Sequence, residues 1–117
     1  CDSLAGLVHE LVRAGDLAQA IERGRTRQAC WQRGGLAVEH HLLDATRLRG
    51  AFVAAGLLDV SVSGLLVAFT TLGRAEWSRA EADHRDDLLA LERELSRIGG
   101  LADSGKQLLA IGTAPQS

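Results

Sequence analysis

Residues 57–72, "LLDVSVSGLLVAFTTL", decide the fold because they carry two incompatible periodicities. The run Asp59-Val60-Ser61-Val62-Ser63 alternates polar and apolar, the two-residue period of a half-buried strand. Leu58, Val62, Leu65, Phe69 and Leu72 keep instead the three-four spacing of one helix face. A strand needs a partner, and no other stretch presents itself as one. The spacing therefore predicts a helix over 57–72, closed by Gly73.

The neighbours are read in the same period. Over 36–55, Val38, His41, Ala45, Leu48, Phe52 and Ala55 make one apolar stripe, and Gly56 fits the position just past a helix end. From Ala75 to Ile98 a stripe of Leu88, Leu91, Leu95 and Ile98 is opposed by charges. At ~1.5 Å per residue that helix is roughly 35 Å long. Gly99-Gly100 ends it, and a short segment over 101–111 follows. Upstream, Asp2-Ser3 can cap a helix carrying Leu4, Leu7, Val8, Leu11 and Val12. Gly15-Asp16 opens a weaker helix over 17–33, and Gly34-Gly35 is the next boundary. The expectation is an all-α chain. It is an antiparallel helical bundle of four main helices with short terminal helices, one domain over 1–112 and a flexible tail over 113–117.

Composition agrees with one soluble domain. Of 117 residues, 46% are hydrophobic and 24% charged, so disorder is not expected. Aromatics are only 3%, which leaves Trp31, Phe52, Phe69 and Trp77 as the large pieces of an aliphatic core. Net charge is -2, against a nucleic-acid partner, whose phosphates demand clustered cations. The run Arg23, Arg25, Arg27 and Arg33 reads as a solvated face. Residues 51–72 have the length of a membrane span, but Asp59, Ser61 and Ser63 sit in the middle, against a membrane location. Cys1 and Cys30 form no CxxC motif, so a reduced, cytoplasmic setting is expected.

No constellation supports catalysis, and no cofactor is expected. His40 and His41 stand beside Glu39 and Asp44, but adjacent residues on a helix diverge too far to share a metal ion. Glu81 and His84 form a single Glu-x-x-His pair, the minor alternative of a metal-binding bundle. Di-iron bundles need two such pairs, and the second is missing.

Thr46-Arg47-Leu48-Arg49-Gly50, followed by Gly56, resembles the central motif of bacterial histidine phosphotransfer domains, His-x-Leu-Lys-Gly with a later Gly. Leu48 matches the Leu, Arg49 the Lys, Gly50 and Gly56 the two glycines. The likeness spans 17–98. It implies a four-helix bundle that docks a receiver or other signalling partner. Thr46 stands where that family keeps its phospho-accepting His, which implies docking without phosphoryl relay. "RTRQACWQRGGLAVEHHLLDATRLRGAF" is also similar to small helical conjugal-transfer proteins of plasmids. A homo-oligomeric structural bundle is the remaining alternative.

On the predicted 36–55 helix, Leu42, Leu43, Thr46, Arg49, Gly50 and Val53 lie to one side of the buried stripe. Partly exposed apolar residues beside a Gly suit partner docking. The sequence thus predicts a non-catalytic protein-interaction module with a protein partner, a second copy included, and a docking face on those six residues.

Overall fold

The computed structural model describes residues 1–116, with the side chains of residues 31–33 outside the description; the roles expected of the Trp31 and Arg33 side chains therefore lie outside the described residues. In chain order the elements are α1 (Leu4–Arg13), α2 (Leu17–Thr26), β1 (Gln28–Arg33), β2 (Leu36–His41), α3 (Ala45–Ala54), β3 (Leu58–Leu65), α4 (Val67–Leu72), α5 (Arg74–Ser96), a 3-10 segment (Gly99–Ser104) and β4 (Gln107–Thr113). The chain is mixed α and β, with two antiparallel two-stranded sheets, β1–β2 and β3–β4. The expected all-α bundle is therefore corrected, and with it the four-helix architecture implied by the phosphotransfer resemblance.

The strand partner that does not stand out in the sequence is β4, "QLLAIGT". Val62 pairs with Ala110, Ser63 with Leu109 and Gly64 with Leu108. The alternation in 59–63 is thus the true signal, and the helical spacing across 58–72 is shared between a strand and a short helix. The register shifts between Leu58 and Ser61, where Asp59 takes a left-handed φ of 49°. That irregularity is a bulge that bends the strand's entry. Residues 51–72 are consequently the end of α3, all of β3 and all of α4. Among the described residues no helix is long and apolar enough to cross a membrane.

The second correction falls at Gly34-Gly35. This pair is not a break between helices but the two-residue loop of a hairpin, since Arg33 pairs with Leu36 across it. Both glycines have positive φ, 57° and 81°, as a type I′ turn requires. The expected helices 17–33 and 36–55 each give up six residues to this hairpin. What remains of the second is α3, capped by Asp44, whose carboxylate accepts from the Arg47 N–H at 2.7 Å. The long helix is present as α5, but His84 has φ -140° and ψ 45°, which divides it.

Among the described residues two small cores hold these pieces. In one, Leu48 of α3 packs with Val62 and Leu108 of the β3–β4 ribbon and Ala102 of the 3-10 segment, with Leu43, Ala45, Phe52 and Ala110 around them. In the other, Leu7, Ala29 and Leu42 meet, flanked by Leu4. The N-terminal residues join the two. Fully buried Ser3 donates its N–H to the Lys106 carbonyl, while Leu4 N–H bonds to the Leu43 carbonyl. The radius of gyration is 15.8 Å, against about 13 Å for a compact chain of this length. An elongate shape leaves much apolar surface in water.

Candidate functional site

The six residues expected to form a docking face divide into two groups. Leu42 is 1% exposed and belongs to the core with Leu7 and Ala29, and Leu43 packs against the Leu48 core. Neither is helical, because the chain is extended up to His41 and α3 starts only at Ala45. Thr46, Arg49, Gly50 and Val53 do share an exposed side of α3, the i, i+3, i+4, i+7 positions of one stripe. Arg49 reaches back, and its guanidinium donates to the Val60 carbonyl at 2.5 Å. A Cβ added at Gly50 would meet nothing within 4 Å, so this stripe is open.

The other expected groups are dispersed by the fold. His40 and His41 are successive residues of β2, and successive strand residues point to opposite faces. The break at His84 lies at the end of the Glu81–His84 pair, and among the described residues no group of three His, Cys, Asp or Glu could hold a metal. The arginine run is spent separately: Arg23 on the Leu7 carbonyl, Arg25 beside Glu22, Arg27 on Asp44 at 3.1 Å. Cys1 and Cys30 are exposed free thiols.

A surface that the helical reading of 57–72 conceals is the outer face of the β3–β4 ribbon. Val62, Gly64, Leu108 and Ala110 turn inward to the core. Period-two alternation then sends Ser61, Ser63, Leu109 and Ile111 outward, with Leu58 at the end of the same strand. Leu58 is 53% exposed, Leu109 43% and Ile111 58%. Ser61 stands opposite Ile111 and Ser63 opposite Leu109. Each cross-strand pair therefore joins one small and one large side chain, so the face has an apolar ridge along β4 and a shallow groove along β3.

A second feature without a sequence signal is a groove between the end of α1 and the α4–α5 corner. Arg13, in the last turn of α1, donates to the carbonyls of Thr70 and Thr71, the latter at 2.5 Å. Those carbonyls lie at the C-terminal end of α4, where a cation is favoured. Beside them Phe69 meets Trp77 edge-on, with ring centroids 5.7 Å apart. The Lys106 ammonium lies 4.8 Å from the Phe69 centroid and the Arg74 guanidinium 5.8 Å. Lys106 also pairs with Glu10 at 3.0 Å. The groove has one compartment of about 370 Å³ bordered by His9, Val12 and Ser104, and another of about 260 Å³ bordered by Phe69 and Arg74. Arg13 and Thr70 border both.

No family model matches the chain, and a comparison with curated proteins finds no significant match. Function therefore rests on the surfaces themselves.

Proposed function

We propose that the chain is a non-catalytic protein-interaction module that associates with a second copy of itself through the outer face of the β3–β4 ribbon. The observation that carries this reading is the ridge of Leu109 and Ile111 beside the groove over Ser61 and Ser63. A two-fold axis across the face lays each ridge in the partner's groove, as an isologous interface requires. The elongate shape supports it, since a chain that exposes leucines on a marginal two-stranded ribbon gains by covering them. A reduced, cytoplasmic setting fits two exposed free thiols.

Five side chains fall short of the roughly 800 Å² per partner of a standard interface, so the association is weak and concentration-dependent. Light scattering over a dilution series tests it. The expected result is a rise in apparent mass with concentration, abolished by Ile111→Lys while the thermal midpoint is retained. A concentration-independent monomer contradicts it. The α3 stripe of Thr46, Arg49, Gly50 and Val53 supports a second reading, because it too is open. Loss of association in Gly50→Leu, with Ile111→Lys unaffected, places the interface there instead.

A further inference from the structure

We propose that the groove between α1 and the α4–α5 corner binds a small anion carrying two or more oxyanion groups, phosphate or carboxylate. Two cationic side chains, Arg13 and Arg74, line it, and a third, Lys106, stands beside it over the Phe69 ring, in a chain whose net charge is -2. Among the described residues Glu10 is the single carboxylate bonded into the cluster; it borders the second compartment, where its charge is taken by Lys106 at 3.0 Å. Arg74 has no carboxylate partner among the described residues and is held over the Phe69 ring. Arg13 uses one guanidinium nitrogen on Thr70 and Thr71. Its other terminal nitrogen lies on the Gly73 side, 2.9 Å from where a Cβ would stand. A guanidinium has five donors in a planar fork, so Arg13 keeps donors for a ligand while its position is fixed by the helix end.

The shape argues for two anionic groups rather than one. Arg13 stands on the boundary of both compartments, with His9 and Ser104 on one side and Arg74 on the other. At about 370 and 260 Å³ the compartments together match a small-molecule site. Phe69 and Val12 supply the apolar wall between polar contacts that such sites show.

The test is a titration of the full chain with inorganic phosphate, pyrophosphate and citrate, read by amide chemical shifts. Saturable shifts confined to residues 9–14, 69–74 and 104–106 are expected with pyrophosphate or citrate, and the tighter of the two identifies the anion. Inorganic phosphate binds at least about 10-fold more weakly, having one group for two compartments. Arg74→Gln weakens binding about 10-fold. Arg93→Gln, a cation remote in the chain on α5, leaves it unchanged. Absence of saturation by both pyrophosphate and citrate up to about 10 mM overturns the proposal, as does an Arg74→Gln affinity equal to that of the parent chain.

Discussion

Glu92, on the second half of α5, accepts the backbone N–H of Ala68 in the first turn of α4. Its second carboxylate oxygen is buried and has no hydrogen-bond partner among the described residues. The bond fastens the two helices together, yet it holds a carboxylate where water is scarce.

That position makes stability depend on pH in an unusual direction. Burial pushes the Glu92 carboxyl above its ordinary range, opposed by the bond from Ala68. A carboxyl raised on folding binds protons more tightly in the native state. Its contribution is fully present below the unfolded pKa and is lost as pH rises through the folded one. Urea unfolding from mildly acidic to neutral pH is expected to show a decline that Glu92→Gln flattens. An identical slope in the variant contradicts this role.

Asp44 behaves in the opposite sense. The Arg47 backbone N–H holds its carboxyl low, against a burial effect that raises it, and Arg27 lowers it further. Its stabilisation is present above the ordinary carboxylate range and lost as pH falls through the lowered pKa. Asp44→Ala removes the cap of α3 and should cost about 1 kcal/mol at neutral pH. Chemical denaturation measures this, together with a shallower loss of stability in acid.

Two glycine-to-alanine changes are expected to have opposite signs. A Cβ at Gly64 would stand 2.6 Å from the Ala102 carbonyl oxygen, where only backbone could give way. Gly64→Ala should destabilise by about 1–3 kcal/mol by forcing the ribbon from the 3-10 segment. Gly50 lies inside α3 with open space above it, so Gly50→Ala should stabilise by about 0.5–1 kcal/mol. Equilibrium unfolding of both variants checks the pair.

The hairpin loop gives a local test. Gly35 has φ 81°, and a Cβ placed on it would meet nothing within 4 Å, so Gly35→Ala meets backbone strain alone. A cost of about 1–2 kcal/mol is expected. Amide exchange should speed up in β1 and β2 and stay unchanged in β3 and β4. Uniform acceleration would show that the hairpin is not an independent unit.

How much of the fold is legible in the sequence varies by element. Ser3 and Asp16 cap the helices expected to start at them, whereas Asp44, expected inside a helix over 36–55, is the cap of α3. The helical character of α5 follows from its leucine spacing, though the break at His84 has no proline or glycine to mark it. The Gly34-Gly35 loop is a two-residue hairpin signal between six-residue segments, and helical spacing on either side masks it as a helix boundary. The β3–β4 pairing is hidden by distance, because "DVSVSG" finds its partner only after α4, α5 and the 3-10 segment. Leu42 misleads through the same confusion of helix with strand. Placed on a helix it shares a face with Thr46, whereas after a strand it enters the core against Leu7 and Ala29. The groove leaves no trace in the sequence, since Arg13, Arg74 and Lys106 are brought together only by tertiary packing.

The β3–β4 ribbon underlies the main core, the proposed docking face and the placement of Lys106, so its pairing is the most direct thing to measure. Cross-strand nuclear Overhauser effects between Ser63 and Leu109, and between Ser61 and Ile111, are predicted for the full chain in solution. A series of helical i to i+3 contacts running through residues 58–65, with no contact to residues 107–113, would contradict it.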